Sequence, residues 1–98
     1  MKKDSTHEMR LEIRQACDSI KELLIQKNIN YGDSALRPAN IFARGTAVEN
    51  LCARLDDKLM RIANNGLNKN TFDTVDDLIG YLVLLKIALK HESYKDNK

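Results

Sequence analysis

The stretch TAVENLCARLDDKLMRIANNG, Thr46 to Gly66, decides how the rest of the chain is read. Thr46 and Glu49 have the spacing of a capping box: the threonine hydroxyl takes a backbone N–H, and the glutamate reaches back to the cap residue. Val48, Leu51, Cys52, Leu55, Leu59 and Ile62 then recur at helical spacing and make one apolar stripe. Asn64-Asn65-Gly66 ends the run, with Gly66 suited to a left-handed cap. A helix with one apolar stripe must bury it against another element. What flanks this helix therefore sets the fold class.

The flanks also read as helices. Upstream, Ser5-Thr6-His7-Glu8 fits a second capping box. Met9, Ile13, Cys17, Ile20 and Leu24 follow at helical spacing, with Ala16 and Leu23 beside them. This first helix is expected to begin at Ser5 and to fade near Asn28-Ile29-Asn30. Downstream, a third helix is expected from Thr71 or Phe72 to about His91. Its core stripe is expected to be Val75, Leu78, Ile79, Leu82, Leu85 and Leu89, interrupted by Lys86, whose stem can lie along the core edge. Between the first two helices, KNINYGDSALRPAN (Lys27–Asn40) carries turn chemistry: Gly32 permits positive φ, and Asp33 and Ser34 can bond nearby backbone. Ala39 to Ala43 suggests a short helical turn. The expectation is an all-α fold of three main helices plus a long ordered loop, one domain over residues 1–98, with residues 1–4 and 92–98 frayed.

Composition narrows the function classes. A hydrophobic fraction of 43% allows a modest core, and the absence of Trp makes that core aliphatic. A domain of 98 residues is marginally stable alone, which favours a helical bundle completed by oligomerisation. A second face of the third helix points the same way. Asp73, Asp77, Gly80, Leu84 and Ile87 share it, with Val83 beside them. Gly80 costs about 1 kcal/mol relative to Ala in mid-helix, and the aliphatics would be wasted in water. Another helix is expected to pack there, from a partner chain in preference to the first helix. The net charge of +2 is too weak to argue for a nucleic-acid polymer or a membrane surface, and leaves small anionic ligands open. Cys17 and Cys52 fall on apolar stripes and read as small buried hydrophobes in a reducing compartment. The opening MKKDSTHEMR has no apolar stretch for a signal peptide, and no apolar run approaches ~18 residues. A cytoplasmic protein is expected.

The polar faces hold the candidate chemistry. At about 100° per residue, Arg54, Lys58 and Arg61 share one flank of the second helix. They make either a solvated flank with stems over the core edge or a cationic strip whose Arg forks hold phosphate oxygens. Asp73, Asp76 and Asp77 have the spacing that lets carboxylates converge on a hard cation. With Asp56 or Asp57 of the second helix they make either a Mg²⁺ site or a simple match to the helix dipole.

Three blocks resemble a known family. Lys27, Asn28, Tyr31, Gly32 and Asp33; then Arg54, Asp57, Lys58 and Arg61; then Asp73, Thr74, Asp77, Leu78 and Tyr81 follow the order of blocks in the phage and bacterial nucleotide-modification-associated domain. The blocks cover about Ile25 to Leu85. The resemblance implies nucleotide handling and an all-helical layout similar to the all-alpha NTP pyrophosphatases (MazG-like), which bind Mg²⁺ through acids of two neighbouring helices. This chain departs from that wider group in having no Glu-Glu run, and Lys69, Asn70, Thr71 and Phe72 stand where the family has acids. The expected nucleotide site is then Lys27, Asn28, Tyr31, Asp33, Ser34, Arg37, Arg54, Lys58 and Arg61. Tyr31 would stack on a base and Arg37 and Lys58 would meet phosphate, unless the loop is only an ordered turn stiffened by Pro38. The expected metal ligands are Asp57, Asp73, Asp76 and Asp77, with Mg²⁺ as cofactor; no catalytic residue is assigned. Two activities stay open: Mg²⁺-dependent nucleotide pyrophosphohydrolysis on (deoxy)nucleoside triphosphates or modified nucleotides, and sequestration of a (cyclic) nucleotide signal by an anti-defence protein. Either would act as a homo-oligomer on a small molecule.

Overall fold

The structure, a computed structural model, describes the backbone of residues 2–41 and 44–96 and the side chains of residues 7–41 and 44–92. It is all-α: α1 (Lys2–Tyr31), α2 (Ala47–Asn65) and α3 (Phe72–Asp96), with one 3₁₀ turn over Lys69–Thr71 and no strand among the described residues. Contacts divide the chain into two compact units, Met1–Gly32 and Asp33–Lys98.

The first unit is α1. It starts at Lys2 and runs through Ser5, so the expected cap at Ser5 is not where the helix begins. No Gly or Pro precedes Ser5, and adding a residue to a formed helix is nearly free, so a local capping signal does not stop it. At the far end the Gly32 amide donates to the Asn28 carbonyl at 2.7 Å, and Gly32 takes φ 70°. That positive φ is where the helix stops. The expected fading near Asn28–Asn30 falls a residue or two early. Cys17 is exposed and not a core residue.

The second unit is a loop and a helical hairpin. Asp33 closes a turn through its backbone: its carbonyl accepts the amides of Leu36 at 2.9 Å and Arg37 at 2.8 Å. Ala39 to Ile41 are not helical, against expectation, because Asn40 takes φ 53°, which a helix cannot use; Phe42 and Ala43 lie outside the described residues. The Asn40 side chain donates to the Gly45 carbonyl at 3.2 Å and draws the two ends of that loop together.

α2 begins as its sequence requires. Thr46 Oγ1 accepts the Glu49 amide, and the Thr46 amide donates to Glu49 Oε1, both at 3.1 Å. It ends where Gly66, at φ 78°, donates its amide to the Ile62 carbonyl at 2.7 Å. Asn68 then caps the 3₁₀ turn, exchanging bonds with the buried Thr71 hydroxyl, and α3 follows at once. Its backbone is helical through residues 92–96, as that of α1 is through residues 2–4, where fraying was expected.

The two helices pack antiparallel, since Arg54 meets Tyr81 and Lys58 meets Asp77 further along α2 and further back along α3. Leu51 is 1% exposed and Leu55 9%. On α2 the inward row is Val48, Leu51, Leu55, Lys58 and Ile62; on α3 it is Thr74, Asp77, Tyr81, Leu84 and Ala88. Both rows advance by alternating steps of three and four residues, the spacing of a helix–helix seam.

This seam corrects two expectations. On α2, Cys52 and Leu59 are exposed and Lys58 takes their place in the inward row. On α3 the expected core stripe is turned largely outward: Val75, Ile79, Leu82 and Leu89 are exposed, whereas Gly80 and Ala88 are buried and Leu84 and Ile87 half-buried. Of the face set aside for a partner, Asp77 is also half-buried but Asp73 and Val83 are exposed, and Leu78 and Leu85 of the expected stripe stay half-buried, so the covered side lies between the two. α3 is apolar on nearly every side, so periodicity alone could not choose. Lys86 helps to explain the outcome, because the stripe that contains it keeps its ammonium in water when it faces out.

Leu51→Ala should lower stability by about 3 kcal/mol, the usual cost of such a truncation in a core, and Thr46→Ala by about 1 kcal/mol through the lost cap. Urea titration followed by helical circular dichroism reads both.

Candidate functional site

The seam is not apolar throughout. Lys58 Nζ lies 3.1 Å from Asp77 Oδ2, with the two side chains 16% and 26% exposed. On the same side, the Arg54 guanidinium stands over the Tyr81 ring, 5.9 Å from its centroid. The two contacts are one helical turn apart, because Arg54 and Lys58 are four residues apart on α2 and Tyr81 and Asp77 four apart on α3. Arg61, the next cation along, is exposed. The result is a cluster of cations with one carboxylate and one phenol ring, set into the edge of a helix pair.

Helical geometry explains why these side chains meet. Lys58 is part of the inward row, so its stem lies against α3 and its ammonium needs a partner there. Asp77, in the second turn of α3, supplies it. Arg54 flanks the row, and its planar guanidinium can lie on an aromatic face while its edge still offers donors.

A cavity of about 480 Å³ lies at the other end of the hairpin. Asp33, Arg37 and Pro38 of the loop, Thr46 and Ala47 at the start of α2, and Ala88 and His91 of α3 are among its walls. Arg54 is eight residues into α2 from Thr46, ~12 Å along the axis, and neither it nor Lys58 lines this cavity.

The candidate residues are therefore distributed. Arg54 and Lys58 share the polar station with Asp77, and Arg61 continues their flank. Asp33 and Arg37 face the separate cavity, and Ser34 is exposed in the turn between them. Lys27, Asn28 and Tyr31 belong to the α1 unit, where the Asn28 side-chain amide donates to the Gly32 carbonyl at 3.2 Å and Tyr31 is 74% exposed. Of the acids, Asp57 and Asp73 are exposed and Asp76 is half-buried. No group of three or more His, Cys, Asp or Glu that could hold a metal ion occurs among the described residues. No described helix is long and apolar enough to cross a membrane.

Sequence reading passed over His91 and Glu92, which line the cavity. No local signal marks them: His91 closes the expected third helix and Glu92 follows it, and only the loop's return to that end of the hairpin brings them into the cavity wall.

No family model, no curated protein and no solved structure matches this chain.

Asp77→Asn should cost about 1–2 kcal/mol, less than for a fully buried pair, because water still reaches both groups. The double variant Lys58→Met/Asp77→Leu should recover most of that loss, since an apolar pair suits a helix seam. Thermal melts of the two variants beside the parent chain decide this.

Proposed function

We propose that this chain binds a nucleotide, with Arg54, Lys58 and Arg61 taking the phosphates and Tyr81 and Asp77 completing the site. The observation that supports the reading is the half-buried Lys58–Asp77 pair at 3.1 Å in the middle of the seam. An ion pair there contributes little to stability compared with hydrophobic side chains of the same size. Charge kept at such a position is more readily explained by what it binds. Arg54 beside it adds a guanidinium fork suited to phosphate oxygens, and the Tyr81 ring adds an aromatic surface. A phosphate arriving here would compete with Asp77 for the Lys58 ammonium, so binding would exchange one ion pair for another.

The same contacts also support the resemblance to the nucleotide-modification-associated domain. Arg54 and Lys58 come from one block of it, Tyr81 and Asp77 from another, and the hairpin sets the two blocks side by side. In this reading the protein acts in the cytoplasm on a small molecule.

Sequestration without cleavage is the activity that the donor set favours. Asp77 is engaged by Lys58, and the acids Asp57, Asp73, Asp76 and Asp77 do not form a metal-binding group among the described residues. No hydrolytic step is therefore derived through Mg²⁺.

Thermal shift against nucleoside triphosphates, their deoxy forms and cyclic di- and trinucleotides, each with and without Mg²⁺, tests the proposal when chromatography follows the fate of the ligand. A stabilising ligand recovered intact, with the shift lost in Arg54→Ala and Arg61→Ala, is the expected result. Conversion to a monophosphate that depends on Mg²⁺ and is lost in Asp73→Asn would make the protein a pyrophosphohydrolase instead. No shift with any ligand would leave a structural helical protein and end the nucleotide reading.

A further inference from the structure

α3 carries two seams, and the hairpin uses one. The second runs through Phe72, Val75, Ile79, Leu82, Lys86 and Leu89, again at alternating steps of three and four residues. Its apolar members are 69%, 37%, 41%, 53% and 50% exposed in that order. From Phe72 to Leu89 it spans ~26 Å of helix. Three-four spacing sustained this far is what a partner helix reads, because side chains at those positions fill the gaps of a facing helix. A flat surface or a groove would not select it.

We propose that this face docks on the same face of a second copy of the chain, antiparallel, about a two-fold axis level with Gly80 and Tyr81. The single charged member of the seam argues for this orientation. In a parallel pair Lys86 would meet Lys86 of the other copy across a drying interface, and like charges there oppose association. In the antiparallel pair Ile79 faces Leu82, Phe72 faces Leu89, and Lys86 faces Val75, beside which stands Asp76. Each Lys86 then finds a carboxylate of the other copy, twice per dimer, as an isologous interface requires. Asp76 and Lys86 are too far apart along one helix to pair within a chain, so this complementarity exists only between copies. The hairpin's own core agrees: among the described residues of this unit, Leu51, Leu55 and Ala88 are the buried aliphatic ones, and a short chain with few such residues gains from a second copy.

The interface also differs from the one that the glycine on α3 first suggests. Gly80, Leu84 and Ile87 are already covered or half-covered in the chain, which leaves the Lys86 seam as the docking surface. This inference does not depend on the nucleotide reading.

Sedimentation of the full chain over a range of concentrations tests it, with circular dichroism to confirm that each variant stays helical. The parent chain should self-associate, and Leu82→Glu should weaken that by about tenfold or more, through an unpaired carboxylate at the interface. Asp76→Lys and Lys86→Asp should each weaken it by about fivefold, as opposed charges become like charges, and the double variant should restore it. Where Leu82→Glu fails to fold, the charge-swap set carries the test alone. A parent chain that stays monomeric throughout overturns the proposal, as does association that the folded variants leave unchanged. Weakening by both single swaps without rescue in the double variant also overturns it, because a foreign helix or the chain's own α1 would then be the occupant.

Discussion

The structure of the second unit depends on the pairing of α2 with α3, and that pairing depends on a short row of side chains around Leu51 and Leu55. These leucines are the most deeply covered residues of α2, and they fix which side of the helix faces in. Once Leu51 and Leu55 are inward, the three-four step forces Lys58 inward as well. A lysine in that position can be kept only if its stem is covered and its ammonium is met. Asp77 meets it, and by doing so sets the register of α3 against α2. Tyr81 falls one turn away beneath Arg54 for the same reason. Core packing and the candidate site are one construction: the apolar residues choose the face, and the charges that lie on it become the station.

The construction has a consequence for how the site would work. An ion pair within a seam is poised between two states, since either member can exchange its partner for a ligand of the right charge without unfolding the helices. A phosphate group offers Lys58 a second anion, while Leu51 and Leu55 keep the hairpin closed. The Arg54 fork, already held over a ring, loses little freedom on binding. By contrast, the cavity between the loop and the end of α3 mixes Arg37 and His91 with Asp33 and Glu92. Its charges of both signs do not single out an anion, which is why the nucleotide reading rests on the station and not on that cavity.

Much of the fold could be read from residue spacing, and the reasons for success and failure are physical. The Thr46–Glu49 cap and the Gly66 stop are local hydrogen-bonding devices, and both sit where their residues demand. The cap proposed at Ser5 failed because a capping residue favours a start but does not forbid the helix from extending past it. The expected stripe on α3 falls largely, though not wholly, on the exposed side, because Val75, Ile79, Leu82, Leu84 and Ile87 make the helix apolar nearly all round, and only packing can decide among such faces. Within the site, the flank of Arg54, Lys58 and Arg61 was visible from helical spacing. The partners were not, because the pairing of Lys58 with Asp77 depends on the register of two helices joined through Gly66 and a 3₁₀ turn. The separation of Asp33 and Arg37 from the α2 cations was equally hidden, since it follows from where the loop returns to the hairpin.

The outward stripe of α3 brings these points together. A stripe of exposed aliphatics and a lysine looks like an error when α3 is considered as part of one hairpin. It becomes ordered when the helix is considered to have two neighbours, one on each side. The covered side carries the small or polar residues Thr74, Gly80 and Ala88, which allow close approach within the chain. The outward side carries the bulky residues Phe72, Ile79 and Leu82, which suit a neighbour at the wider spacing of two separate chains. Lys86 stands in that second row where Lys58 stands in the first, one charge in an apolar seam. The first has its carboxylate within the chain, and in the proposed pair Asp76 of another copy would supply the second. The same device, a lone lysine that must find an acid, would then set the register of the hairpin and of the assembly alike.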